Sequence, residues 1–491
     1  MFSVITRAIA FLFKIYLSRK LGAEAVGLYQ ICLSVFFTLA AFSCSGIPLI
    51  LSRRIAALPS ADRKISASYI SASLAVSVST ALITVGVFLL FRQSFSVLFK
   101  DERAMPLFTI MLPALVTSAV YCVFRAWLLG KRDYLTYSVT ELAEEVIRAL
   151  LSIFLASGII SSLAGATGIA AAFTVSDVIC AVMLIAIYAK KKGGVAAPSS
   201  AGLLIKESLP VTLMRLFSGL ITSLTAIVIP MRLVSAGMDI YQATAEYGRV
   251  AGMALPLLMA PTTLTGSLSV VLVPEIADRA QKQHELTAKI TSSLLFLTII
   301  ASAFCMLYVP MGESITVLLF NDAPSGRFVS LAAVLIFPMG LNQLSASMLN
   351  SLGMEKRTFF HYLAGASLLL LSIVFTPKFI GIYSIALGFI LSFTLTSILN
   401  IRLLYKKCRF EIPAKKMAFS VLCAVPSAVF CRFLLGIVST FAPDIVSVPF
   451  AAAGAIGMYV VFTQLTGVTD YKTAFVNLNA ARILKRKARM F

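Results

Sequence analysis

The sequence predicts an all-α polytopic membrane protein with about fourteen spanning helices, and three observations predict it. Hydrophobic residues fill 59% of the 491 positions and charged residues only 13%, a balance that soluble domains do not have. Apolar runs recur at the ~20-residue length a helix needs to cross a bilayer. Lysines and arginines gather between alternate runs, as expected of a chain threaded back and forth through a membrane. Little sequence remains for a soluble domain. A net charge of +21 would suggest nucleic acid in a soluble protein; its placement here argues for membrane lipid and against nucleic acid.

In chain order the expected spans are 3–20, 28–51, 66–91, 105–129, 137–158, 166–189, 208–233, 246–272, 287–309, 328–352, 358–377, 381–404, 416–438 and 446–466. The first holds Arg7 and Lys14, seven residues apart and so on nearly one helix face. A charge at mid-bilayer costs about 2.5–3.5 kcal/mol on insertion scales, so such cations face a cavity or a partner. No cleaved signal peptide is expected, because cations interrupt this run and no small-residue cleavage site follows it. With so little chain ahead of the run, the start reads as truncated or misassigned.

The second span ends in Gly46-Ile47-Pro48, followed by Arg53 and Arg54. The fourth carries Arg125 near its end, where the side chain is expected to snorkel to the interface. The fifth is the most charged, Thr140 to Arg148, with Glu144 four residues before Arg148 in the favourable order for an ion pair. Asp177 stands alone in the sixth, and an intramembrane carboxylate is a candidate ion site or arginine partner. Arg215 and Arg232 lie near the two ends of the seventh, and the eighth ends at Pro274 before Asp278 and Arg279. The tenth bears a polar stripe, Asn342, Gln343 and Asn350, of the kind that joins helices. A short outer loop is expected at Pro310–Arg327.

The basic clusters follow alternate spans: Arg53 to Lys64, Lys131 and Arg132, Lys190–Lys192 with Lys206, Arg279 to Lys289, Lys356 and Arg357, and Arg402 to Lys416. The intervening loop Ser157–Thr167 has none. The clusters are therefore assigned to the cytoplasm, with both termini, as an even helix count requires. From Lys190 to Gly202 the composition is that of a flexible linker. The expected organisation is a six-helix lobe at 1–189, a cytoplasmic linker at 190–206, a second six-helix lobe at 207–404, two further helices within 405–466, and a basic amphipathic tail at 467–491. The tail suits an anionic membrane surface. The proline and arginine placements in the two halves match as an internal repeat would, around a central cavity. Gly46, Pro48 and Pro274 are the hinge candidates.

Arg7, Lys14, Arg148 and Arg215, with Arg53 and Arg232, are the candidate cavity cations, and Glu144 and Asp177 the candidate ion-coupling or charge-partner groups. A positively charged interior points to anionic cargo. The eight cysteines form no CxxC pair and serve as small hydrophobes. His284 and His361 have no metal-ligand company, so no metal, cofactor or catalytic constellation is expected, and no enzyme.

Several segments resemble the stage V sporulation protein B group of the multidrug/oligosaccharidyl-lipid/polysaccharide flippase superfamily, which includes the lipid II flippases. They are Leu17 to Gln30, Ser45 to Arg53, Thr140-Glu141-x-x-Glu144-Glu145-x-x-Arg148, Leu209 to Leu233, Ala245 to Gly248, Gly252 to Pro256 and Leu272 to Ile276. The resemblance implies two lobes that alternate access to a central cavity. It also implies cavity arginines that hold the pyrophosphate of an undecaprenyl-linked sugar. Arg7 matches an early arginine of the lipid II type; Phe13 stands where those relatives often carry a second, with Lys14 one position on.

The expected function is that of a flippase moving an undecaprenyl-pyrophosphate-linked glycan, first of all lipid II, across a bacterial inner membrane. It would act as a monomer and couple to H+, Na+ or the membrane potential. The rivals are a flippase for another lipid-linked polysaccharide unit, a cation-coupled multidrug exporter, a non-transporting envelope scaffold, and a glycan polymerase or ligase. Buried charges have no reason to persist in a scaffold, and the short outer loops disfavour the enzyme.

Overall fold

The computed structural model describes residues 2–44, 46–58, 62–93, 99–157, 165–191, 193–194, 196–198, 201–266 and 283–469. The hinge candidate Pro274, the loop basic residue Arg279 and the amphipathic tail from residue 470 onward lie outside them. The described chain is almost wholly helical. It comprises α1 (Phe2–Cys44), α2 (Gly46–Ala57), α3 (Arg63–Leu90), α4 (Ala104–Gly130), α5 (Tyr134–Ala156), α6 (Ala166–Lys190), α7 (Ala201–Ser235) and α8 (Ile240–Gly248). A π-helical turn at Arg249–Ala254 leads from α8 into helix as far as residue 266. There follow α9 (Gln283–Phe320), α10 (Ala323–Ala332), α11 (Ile336–Ser351), α12 (Glu355–Phe375), α13 (Pro377–Ile380), α14 (Ser384–Cys408), α15 (Ala414–Val438) and α16 (Asp444–Leu465).

Eleven helices among the described residues are long and apolar enough to cross a membrane. The first of these stretches runs 40 residues, Ile5–Cys44, about 60 Å of helix against a hydrocarbon core of about 30 Å. Tyr134–Ala156 has the length of a span, and its four charges at Glu141, Glu144, Glu145 and Arg148 keep it out of that number. With these and residues 240–266, the helices agree with about fourteen passes.

One expectation is sharpened and one corrected. The expected spans 3–20 and 28–51 fall on the two arms of α1, which meet at a kink at Gly22, with φ 78° and ψ 173°. Leucine, alanine and glutamate favour helix on both sides, so one glycine in a conformation closed to L side chains makes the break alone. The expected outer loop Pro310–Arg327 is also mostly helix, since α9 runs to Phe320 and α10 begins at Ala323. Here the helices approach at two glycines. A Cβ on Gly312 would lie 2.7 Å from the Gly326 carbonyl oxygen, and one on Gly326 would lie 2.4 Å from Glu313 Cα.

By packing the chain forms two compact units, one of residues 1–253 with 370–385 and the other of 254–369 with 386–491. The first unit contains all six helices ahead of the linker and α7 and α8 beyond it. Its seams rely on small residues. A Cβ on Gly248 would fall 1.9 Å from the Ala23 carbonyl oxygen, and one on Gly27 would fall 2.1 Å from that of Thr244, so α1 and α8 meet backbone to backbone. A Cβ on Gly46 would lie 2.2 Å from Thr212 Oγ1, bringing α2 equally close to α7, where Arg54 pairs with Glu207. In the second unit, Ile290, Leu294 and Leu297 of α9 pack with Leu344 and Met348 of α11 and Leu404 of α14. Met311 packs with Cys431 of α15 and Ala451 of α16.

One polar corner closes the first unit between α3 and α4. Arg103 donates to Asp101 at 2.9 Å from Nε and 2.7 Å from Nη2, pairs with Glu24 of α1, and sits 4.4 Å above the Tyr241 ring. Burial alone would raise the Asp101 pKa, but the Arg103 hydrogen bonds outweigh it and hold the carboxyl below its usual range.

Two outcomes follow for purified protein in detergent. Gly248→Ala should abolish the folded, monodisperse species seen by size exclusion, whereas Gly86→Ala, whose added Cβ meets nothing within 4 Å, should hold or raise stability by about 0.5–1 kcal/mol. The ionised Asp101 is favoured by folding, so its contribution is present above the unfolded carboxyl value and lost as pH falls through the lower folded value. The thermal midpoint should therefore drop on acidification below about pH 4, and Asp101→Asn should lower the neutral-pH midpoint and flatten that drop.

Candidate functional site

The candidate residues converge where α5 faces α1, α4 and α6. Helix α5 starts on Asp133, whose side chain caps the backbone N–H of Thr136. From there, three- and four-residue spacing sets Tyr137, Glu141, Glu144, Glu145 and Arg148 on neighbouring positions of the helix. Arg148 is the hub. It pairs with Glu144 one turn back, donates to Asp177 of α6 at 3.3 Å, and lies 3.6 Å from Glu145. Its guanidinium stands 5.0 Å from the Phe173 ring centroid. Asp177, only 8% exposed, also accepts from the Ser118 hydroxyl of α4. Glu144 accepts from the Tyr121 hydroxyl as well.

Arg125 corrects the interface reading. Its guanidinium lies 4.3 Å from the Tyr137 ring and 5.4 Å from the Tyr121 ring, with Glu141 at 3.5 Å and Glu144 at 3.9 Å. Aromatic faces and carboxylates on two helices hold it inside the bundle, which compensates the charge better than a lone excursion along apolar surface.

The hub borders a cavity of about 140 Å³ whose wall includes Phe13, Lys14, Tyr29, Gln30, Glu145, Arg148 and Gly252. Residues of both arms of α1, Ala10 to Ser18 and Val26 to Leu33, line it, so the break at Gly22 sets them face to face. Lys14 and Glu145 interact across this space. The Arg148 Nε is buried and has no hydrogen-bond partner among the described residues, as are Nε and Nη2 of Arg125. An unmade hydrogen bond from a buried charged donor is costly.

Of the sequence candidates, the structure brings together Lys14, Arg148, Glu144 and Asp177. Arg7, Arg53, Arg215 and Arg232 are exposed, and Arg232 donates to the Val374 carbonyl at 2.7 Å. Gly46 is packed at the α2–α7 contact and Pro48 sits in the first turn of α2, where a proline is tolerated. The interior charge also differs from expectation. Lys14, Arg125 and Arg148 are met by Glu141, Glu144, Glu145 and Asp177, so this cluster is acid-rich rather than cationic. Sequence reasoning missed the roles of Tyr121, Tyr137 and Ser118; the four-residue step from Tyr121 to Arg125 was the available signal for one of them.

Comparisons with known proteins agree with this architecture. A family model described as "Polysaccharide biosynthesis protein" matches residues 1–277. The chain is 23% identical to stage V sporulation protein B of Bacillus subtilis (strain 168) over 458 residues, 88% of each chain. It is 21% identical to sporulation protein YkvU of the same organism, over 72% of this chain and 80% of that one. Among solved structures, the lipid II flippase MurJ in an inward closed conformation superposes with a TM-score of 0.70 at 12% identity, over 94% of this chain and 97% of that one. An inward-facing multidrug resistance MATE family transporter of the MOP superfamily gives 0.62 at 16% identity, over 82% and 94%. The fold is therefore shared with these solved structures, and the chain is a multi-pass membrane protein.

Arg148→Gln should cost about 3–5 kcal/mol, because Glu144 and Asp177 are then buried without their cation. The double variant Arg148→Gln/Asp177→Asn should recover at least about 1 kcal/mol of that loss. Thermal unfolding of the three proteins in one detergent measures both.

Proposed function

The chain belongs to the polysaccharide biosynthesis protein family, and from that premise we propose that it is a flippase for an undecaprenyl-pyrophosphate-linked glycan. Lipid II is the first candidate, carried from the cytoplasmic to the outer leaflet of a bacterial inner membrane by a monomer whose termini are cytoplasmic. The observation that carries this reading is a cavity whose wall holds both Lys14 and Arg148. A pyrophosphate offers these cations charge-assisted hydrogen bonds, roughly twice the strength of neutral ones. The cavity, about 140 Å³, has room for a few water molecules at about 30 Å³ each, or for a diphosphate, but not for a glycan. In this state the sugar must lie outside it.

In the absence of cargo, Glu144, Glu145 and Asp177 hold Arg148. The pyrophosphate competes with them, and a proton or Na+ taken up by the released carboxylates keeps the site near neutrality. Cargo and cation thereby favour the same rearranged site over the empty one, the differential binding that a ligand-driven change requires. Arg7, Arg53, Arg215 and Arg232 supply further positive charge along the route, and Gly46, Pro48 and Pro274 supply hinges.

The same carboxylates favour a second reading, a cation-coupled multidrug exporter, because acids are what a cationic drug would require.

Expression in cells depleted of their lipid II flippase separates the two. Growth and precursor translocation should be restored by the unaltered chain and lost with Lys14→Glu or Arg215→Glu, with membrane insertion confirmed in each. Failure of the inserted, unaltered chain to rescue would remove lipid II and leave other lipid-linked glycans. Rescue surviving both reversals would overturn the cationic pyrophosphate site, and drug resistance without rescue would favour the exporter.

A further inference from the structure

A second cavity, of about 320 Å³, lies at the lysine-bearing end of the first unit and shares no lining residue with the Arg148 cavity. Its walls are the first turns of α3 and the final turns of α4 and α6. The volume is in the range of small-ligand sites, about 300–1,000 Å³, and the walls are polar where the neighbouring core is apolar. A polar void of this size holds water or a ligand.

The chemistry of the walls narrows the ligand. Lys191 is fixed in place by Asp133 and by Thr136 Oγ1 at 3.0 Å. Lys131, also on the wall, makes no ion pair among the described residues. Two lysines against one aspartate leave the cavity with one net positive charge. The Trp127 and Tyr188 rings form its floor, edge to face with centroids 4.9 Å apart. Aromatic rings of this kind sit at head-group depth in membrane proteins. The Ser66 hydroxyl, on a residue only 4% exposed, completes the polar wall.

The chain leaving α6 closes over the same rings. The Tyr188 hydroxyl donates to the Gly194 carbonyl at 2.7 Å, and a Cβ on Gly193 would lie 2.4 Å from the Tyr188 ring. Farther on, the Ser68 hydroxyl donates to the Ala197 carbonyl at 2.7 Å. An occupant of the cavity therefore touches the residues that anchor the start of the linker between α6 and α7.

We propose that this cavity is a binding site for a phosphate ester, with Lys131 and Lys191 neutralising the phosphate, Ser66 donating to it, and the glycerol or similar ester portion resting on Trp127. Occupancy steadies the Gly193–Gly194 contact with Tyr188, so the site couples the membrane surface to the linker. The phosphate ester comes either from an anionic phospholipid head group or from a soluble ester.

Trp127 is the chain's single tryptophan, so intrinsic emission reports this cavity directly. The full chain is placed in phosphatidylcholine nanodiscs with increasing phosphatidylglycerol, and separately in pure phosphatidylcholine nanodiscs titrated with glycerol 3-phosphate. A saturable change in emission is expected in at least one arm. A response to phosphatidylglycerol alone assigns the lipid, and a response to glycerol 3-phosphate assigns the ester itself. Lys131→Gln/Lys191→Gln should weaken the apparent affinity about tenfold, the effect of losing one charge-assisted contact, while Lys131→Arg/Lys191→Arg should retain it. An equal thermal midpoint for the two double variants shows that the loss is one of binding rather than folding. Unchanged emission in both arms, or a response undiminished in Lys131→Gln/Lys191→Gln, would overturn the site.

Discussion

The compensation of Arg148 governs the first unit. A guanidinium within a bundle of apolar helices is tolerable only if charges and dipoles surround it, and four helices are positioned to supply them. Helix α5 offers Glu144 and Glu145, α6 offers Asp177 and the Phe173 ring, α4 orients the acids through Ser118 and Tyr121, and α1 brings Lys14 to the adjoining space. Compensation stops one donor short at Nε.

An acid-rich surround also changes how an anion would be held. A purely cationic cavity would bind pyrophosphate and keep it. Carboxylates that compete for the same guanidinium weaken the bound state and offer a route to release, and transport needs release as much as capture. Under the proposed flippase reading, the acids at Glu144, Glu145 and Asp177 would take as much part in handling the anion as Lys14 and Arg148.

The helical class and most span boundaries were legible in the sequence because bilayer thickness sets span length and leaves little freedom. The Glu144–Arg148 pair was legible for a similar reason, since a four-residue step fixes neighbours on a helix whatever surrounds it. Arg125 was not. Its sequence position near a span end is the same for a snorkelling side chain and an inward one, and only the packing of α4 against α5 chooses Tyr137 as its neighbour. The glycine seams were also hidden. Gly27 and Gly248 are more than two hundred positions apart, and nothing local in either segment announces that their backbones touch. Gly22 falls between the first two expected spans, but that a single residue makes the break was not legible, because such a break between strong helix formers has no composition of its own.

That break gives the Arg148 cavity a simple mechanics. The two walls contributed by α1 are two helical arms joined at a single residue with φ 78°. They act as the two blades of a pair of tweezers. Lys14 lies about 12 Å along its blade from Gly22, at 1.5 Å per residue, so a twist of about 10° at the joint carries it about 2 Å. A displacement of that size separates a hydrogen-bonded contact of about 2.9 Å from one that no longer exists. The grip on an anion in this cavity can thus be made or broken by torsion at one glycine, with neither helix melting and no loop having to move.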